Sequence, residues 1–131
     1  MKLLDTDTCV AILRGNHAVV ERRTGEQDEV VTTWITAAEL FYGAAKSSAP
    51  VQNHTMVVGF LATLPVLGLD VAAVQVFGTT KALLERKGQR LDDADLLIGA
   101  IAVTQHATVV TRNLRHYERI PGLTVENWIP S

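Results

Sequence analysis

Lys2-Leu3-Leu4-Asp5-Thr6-Asp7-Thr8 opens the chain with a short apolar strand closed by an acid, and the residues from Thr8 to Arg14 then read as a helix. Gly15-Asn16 ends that helix, as helix C-terminal glycines commonly do. The same order of strand and helix repeats along the chain. A second helix is expected from His17 to about Thr24. Glu29 to Trp34 is β-branched and aromatic, hence a strand, and it feeds a helix from Thr36 to about Lys46 with Leu40, Phe41, Ala44 and Ala45 on one face. After the loop Ser47 to Pro50 come a helix near Val51 to Leu61 and a third strand, Pro65 to Leu69. Asp70 caps a long helix to Lys87 that Gly88 stops, and the helix from Asp93 to about Gln105 is apolar almost all round, so it is expected to be the most buried. Ala107 to Thr111 is the fourth strand. Such alternation predicts an α/β fold, a three-layer α/β/α sandwich with a central mostly parallel sheet and right-handed crossovers. Residues 1–131 are read as a single domain, long enough for one proper core and too short for a second.

Three acids fall where this sheet would bring them to one edge: Asp5 at the end of the first strand, Glu39 in Ile35 to Gly43, and Asp95 in Leu91 to Ala102. Both helical acids are placed in first turns. The carboxyl ends of parallel strands and the amino ends of the returning helices share one side of the sheet, and such folds build their sites there. Carboxylates gathered at one place repel one another unless a cation neutralises them, and hard oxygen ligands suit Mg²⁺ or Mn²⁺. A divalent-metal enzyme is therefore expected, with Asp5, Glu39 and Asp95 as metal ligands and catalytic residues.

Each acid also has a competing structural use. Asp5 suits a strand-end turn or an N-cap, although a charge directly after Leu3-Leu4 is costly to bury without a partner. Thr36-Ala37-Ala38-Glu39 has the form of a capping box, in which the glutamate reaches back to the N-cap amide. Asp92 is the expected N-cap of the last long helix, which leaves Asp95 as a first-turn acid complementing the helix dipole. Asp93 faces solvent or supplements the site, and Asp7 is a helix-start residue or a group behind the ligands.

The net charge of −2 gives no global attraction for nucleic acid, so a polyanion must meet a local basic surface such as the cluster Lys81, Arg86, Lys87 and Arg90. The lone Cys9 forms no internal disulfide and reads as a small buried side chain. Asp5 and Asp7 interrupt the N-terminal apolar run, which is not a signal peptide, and Pro65, Asp70 and Gln75 divide the apolar stretch Val57 to Gly78, so no membrane span is expected. A reducing cytoplasm is the expected location.

Four blocks in this order, Lys2–Thr8, Ile35–Gly43, Leu91–Ala102 and Val109–Trp128, resemble PIN-domain ribonucleases, and more narrowly the VapC-type toxins of bacterial toxin-antitoxin modules. The resemblance covers essentially the whole chain. It implies a metal-dependent endoribonuclease that hydrolyses phosphodiester bonds in structured RNA, often transfer or ribosomal RNA, and is silenced by a small cognate VapB-like antitoxin. It also implies metal-ligand roles for Asp5, Glu39 and Asp95. The chain departs from the family at the last acidic position, where His116 stands three residues after Asn113. One cation held mainly by Asp5 and Asp95, with Glu39 acting through water, is then the expected arrangement.

Thr111 and Asn113 are placed to make polar contacts to a carboxylate or water, and Arg112, Arg115, Arg119, Lys81, Arg86, Lys87 and Arg90 are candidates for phosphate contacts. Phe41, Tyr42 and Phe60 on amphipathic helices suggest a homodimer and a partner groove. Two other readings stand beside this one. Asp5-Thr6-Asp7 also opens haloacid-dehalogenase-like phosphatases, although Asp92-Asp93 precede a helix where that class needs a late acidic pair at a strand end. A catalytically weakened PIN-like module that binds RNA or a partner is the other.

Overall fold

In the computed structural model, which describes residues 1–131, β1 (Lys2–Leu4) buries Leu3 on one side of a sheet and Leu4 on the other, as the two-residue period of a strand dictates. The chain then runs through α1 (Thr6–Leu13) and α2 (His17–Thr24) to β2 (Val30–Thr33), and through α3 (Trp34–Ala45) and α4 (Pro50–Leu61) to β3 (Val66–Leu67). From there α5 (Val71–Arg86) and α6 (Asp93–Thr104) lead to β4 (Thr108–Val110), and the short α7 (Leu114–Tyr117) leads to β5 (Thr124–Glu126). All pairings are parallel, in the order β3-β2-β1-β4-β5.

Helices cover both faces. On one, Leu3 and Val109 pack with Leu84 of α5 and with Leu96, Ile98 and Ile101 of α6. On the other, Leu4 and Val110 pack with Cys9, Val19, Leu40, Val57 and Phe60 from α1 to α4. This is the expected three-layer sandwich, and α6 is indeed deeply buried along most of its length. No helix is long and apolar enough to cross a membrane. Truncating a fully inaccessible leucine such as Leu3 in cores of this kind costs roughly 2–5 kcal/mol.

The strand order positions the site. The first crossover carries the chain from β1 to its neighbour β2, whereas the crossover from β3 returns to β4 on the other flank of β1. The carboxyl ends of β1 and β4 therefore diverge into a crevice at a topological switch point. Asp5 follows β1 at that crevice, and Thr111 follows β4.

Several boundaries differ from the sequence reading, each for a local reason. Asp5 caps α1, which starts at Thr6 rather than Thr8. Trp34 is not the end of a strand: Thr33 Oγ1 accepts from the Thr36 amide and starts α3 at Trp34, which is exposed. The fifth strand and α7 were not anticipated, because three residues of edge strand and four of helix carry too little periodicity to read. Gly15 and Gly88 do stop their helices, with φ of 74° and 66°, a region that a β-carbon disfavours.

The last strand is tied to the first by charge. Lys2 Nζ donates to Glu126 Oε2 at 2.9 Å, Arg22 lies 3.6 Å from the same carboxylate, and Trp128 Nε1 donates to its other oxygen at 2.8 Å. Burial pushes the Glu126 carboxyl up, but the bonds from Lys2 and Trp128 outweigh it and hold the group below its ordinary value. A carboxylate so depressed contributes stability above its unfolded pKa and loses it as pH falls through the folded one. Glu126→Gln is therefore expected to cost about 1 kcal/mol in urea unfolding at neutral pH, with the difference from wild type shrinking as the pH falls below the carboxylate range.

Candidate metal centre

Asp5 is 4 % exposed, and its Oδ1 accepts the Thr8 amide at 3.0 Å. The N-cap role weighed against catalysis is thus real, and it engages one carboxylate oxygen. Burial pushes the Asp5 carboxyl up to about 6, against the opposing pull of hydrogen bonds from Thr111 and Thr8. No lysine or arginine comes within ion-pair distance of Asp5, Glu39 or Asp95. The rise of about two pKa units corresponds to about 3 kcal/mol against the ionised form, at about 1.36 kcal/mol per unit.

Asp95 lies in the first turn of α6, as expected, behind Asp92 at the N-cap. Tyr117 Oη donates to Asp95 Oδ1 at 3.2 Å. Partial burial raises the Asp95 carboxyl; the Tyr117 bond opposes it, the charges of Asp92 and Glu39 reinforce it, and His116 opposes it. Glu39 projects from the second turn of α3, because that helix is capped at Thr33, and this overturns the capping-box reading. Its Oε1 accepts a very short hydrogen bond from Thr6 Oγ1, which also approaches Thr36 Oγ1 at 3.3 Å.

One buried phenol lies in the field of all three acids. The Tyr117 hydroxyl is pushed far above its ordinary range, first by burial and then by the charges of Asp5, Asp95 and Glu39. It stays a neutral donor at any working pH. The charges of three carboxylates, Asp5 at the N-cap of α1, Glu39 on α3 and Asp95 on α6, thus all bear on this one side chain, which hydrogen-bonds Asp95 alone. They are not closed into a ready ligand cage: no group of three His, Cys, Asp or Glu side chains is close enough to hold an ion. Thr6 draws Glu39 aside, and the Thr8 amide holds Asp5. The donor set still suits a divalent cation, being hard oxygens in a partly dehydrated crevice whose charge no side-chain cation offsets.

The surrounding residues divide clearly. Asn113 Nδ2 donates to Asp7 Oδ2 at 3.3 Å, and the Asn113 amide donates to Thr111 Oγ1 at 2.9 Å, so the pair expected to supply polar contacts does so. Asp93 is turned away, paired with Lys81 at 3.0 Å. Asp92 is exposed, and its side chain makes no cap hydrogen bond. His116 is exposed on α7 on the Asp95 side. Arg90 pairs with Glu85, and Arg119 donates to the Arg90 carbonyl. Phe60 is buried in the core and unavailable to a partner, whereas Tyr42 is exposed. Sequence reasoning missed Thr6 and Tyr117. Thr6 had a signal in lying between Asp5 and Asp7; Tyr117 had only its position as the lone aromatic in the polar run Arg112 to Arg119.

Residues 2–123 match the PIN domain family. The chain belongs to that family. This PIN domain is 39 % identical to the tRNA(fMet)-specific endonuclease VapC of Salmonella typhimurium, over 96 % of each chain. It is 31 % identical to ribonuclease VapC2 of Rickettsia felis, again over 96 % of each. Its fold superposes on the DNA-bound VapBC complex from Salmonella typhimurium with a TM-score of 0.91 at 38 % identity, covering 98 % of both chains. The PIN domain thus falls among VapC ribonucleases, and the haloacid-dehalogenase alternative is set aside.

Proposed function

We propose that this PIN domain, residues 1–131 as one unit, is a metal-dependent endoribonuclease and the toxin of a toxin-antitoxin pair. Structured RNA, such as a transfer RNA, is its substrate in the cytoplasm. The observation that carries this reading is a set of acids on the side of the sheet's switch point, Asp5 after β1, Glu39 on α3 and Asp95 on α6, none paired with a cation and all bearing electrostatically on Tyr117, which donates to Asp95. The names of the relatives support the substrate and the partner, a small VapB-like antitoxin. The exposed apolar residues Tyr42, Val51 and Met56 on α3 and α4 suit that partner or a second copy of the chain.

Asp5 and Asp95 would hold Mg²⁺ or Mn²⁺, with Glu39 acting directly or through water. The ion, when bound, polarises a phosphoryl oxygen and lowers the pKa of water. Glu39 would orient the attacking water and take its proton, a role supported by the hydrogen bond from Thr6 that fixes its carboxylate. Tyr117 fixes Asp95 by donating to Oδ1 while remaining neutral, which leaves the charge of that carboxylate to the ion. His116 stands where the resemblance to PIN-domain ribonucleases implies a carboxylate in many relatives. His116→Asp is expected to lower the Mn²⁺ concentration needed for half-maximal cleavage by roughly tenfold, since it adds charge and an oxygen ligand beside Asp95. An unchanged Mn²⁺ dependence would mean that position 116 does not address the ion.

The reading is tested by incubating labelled transfer RNA with wild type, Glu39→Gln and Asp95→Asn, with Mn²⁺ and with EDTA. Cleavage by wild type in Mn²⁺ only, reduced on the order of 10²–10³-fold in both variants, is expected. Cleavage by wild type in EDTA would overturn the metal mechanism, and full activity in a variant would remove that residue from the site.

A further inference from the structure

We propose that Arg14 and Arg112 form a phosphate clamp that holds the RNA strand beside the carboxylates, an inference that rests on the ribonuclease reading above. The two arginines lie far apart in sequence but line one cleft of about 580 Å³, with Asp7 and Asn16 on its wall. Both are exposed, and neither has a carboxylate within ion-pair distance. Arg22 is engaged with Glu26 and Glu126, Arg23 with Thr63 and Arg90 with Glu85, whereas Arg86 and Arg115 are also unpaired but do not line this cleft.

The cleft adjoins the site through covalent neighbours. Arg112 directly follows Thr111, the residue after β4 at the crevice, and Asp7 lies two residues beyond Asp5 in the first turn of α1. Asn113 Nδ2 donates to Asp7 Oδ2 at 3.3 Å, which turns one oxygen of that acid toward Asn113 but leaves its single negative charge, against the two unpaired guanidinium groups of the cleft. Planar guanidinium groups match phosphate oxygens in pairs, and two of them on one cleft suit a phosphodiester next to the one being cut. Arg14 ends α1, where a cation also complements the helix dipole, but its side chain makes no hydrogen bond to that helix, and Arg112 has no such alternative use.

The test measures binding of a fluorescently labelled transfer RNA in EDTA, in an Asp95→Asn background that does not cut it, across a salt series. Arg14→Gln and Arg112→Gln are each expected to weaken binding about threefold to tenfold and to flatten the salt slope by about 0.7–1, while Arg112→Lys keeps the slope. In otherwise wild-type protein the same changes should raise KM and leave kcat nearly unchanged, with unaltered melting temperatures as the folding control. An unchanged slope and KM in the double variant would overturn the clamp, as would normal RNA binding with loss of the antitoxin complex, which would assign the cleft to the protein partner. A wild-type protein that binds RNA through these arginines but never cuts it would instead overturn the ribonuclease reading.

Discussion

Asp5→Asn is expected to abolish RNA cleavage and, in EDTA near pH 8, to raise the melting temperature by roughly 4–12 °C. The two effects share a cause. The folded protein raises the Asp5 carboxyl from 3.8 to about 6, chiefly by burial. Its folded state therefore favours the protonated acid, and the associated stability is full below the unfolded pKa and lost as pH rises through the folded one. Well above that value the ionised group costs the fold about 3 kcal/mol, from about two units at about 1.36 kcal/mol each. Asparagine serves equally well as the N-cap that Asp5 provides for α1, so the substitution removes the buried charge and keeps the cap. A gain of about 1–3 kcal/mol, at about 4 °C per kcal/mol for a chain of this length, sets the range. The gain should disappear below about pH 4, where wild-type Asp5 is protonated in both states. A variant that melts lower than wild type near pH 8 in EDTA would mean that Asp5 acts mainly as a structural cap.

Expression of the wild-type chain alone is expected to arrest bacterial growth, with Asp95→Asn harmless at the same protein level. Co-expression of the cognate antitoxin should restore growth and copurify with both forms, because Asp95 lies in the crevice at the sheet edge and the exposed apolar residues lie on α3 and α4. Arrest by Asp95→Asn would separate toxicity from the carboxylate site. A wild-type chain that is harmless yet binds Mn²⁺ would favour the RNA-binding or partner-binding module.

Much of this molecule was legible because its signals are physical and local. The two-residue alternation of Leu3-Leu4, the β-branched run Val30 to Thr33 and the apolar length of α6 each dictate a sheet sandwiched by helices. Strand direction alone puts Asp5 and the first turn of α6, with Asp95, on one side of the sheet, whereas Glu39 sits a turn further along its helix than the sequence suggested. What was not legible depends on contacts between distant segments. The hydroxyl that holds Glu39 belongs to Thr6, and the phenol that holds Asp95 belongs to Tyr117 on a four-residue helix that no periodicity announces. Glu39 was expected in a first turn, with a capping box as its competing use, because Thr33 and Thr36 compete for the cap, and only the packed structure shows Thr33 winning. Gly99 is a similar case: a β-carbon there would meet Ile120 Cδ1 at 2.3 Å, a close approach of α6 to the chain beyond α7 that sequence spacing does not reveal.

Calorimetric titration of Mn²⁺ into the wild-type chain and into Asp95→Asn, above pH 7 so that Asp5 is ionised, measures the central feature most directly. Saturable binding in wild type, weakened by at least about tenfold in Asp95→Asn, is the expected result. Equal binding by the two proteins, or none by wild type, would contradict a metal centre built from these carboxylates.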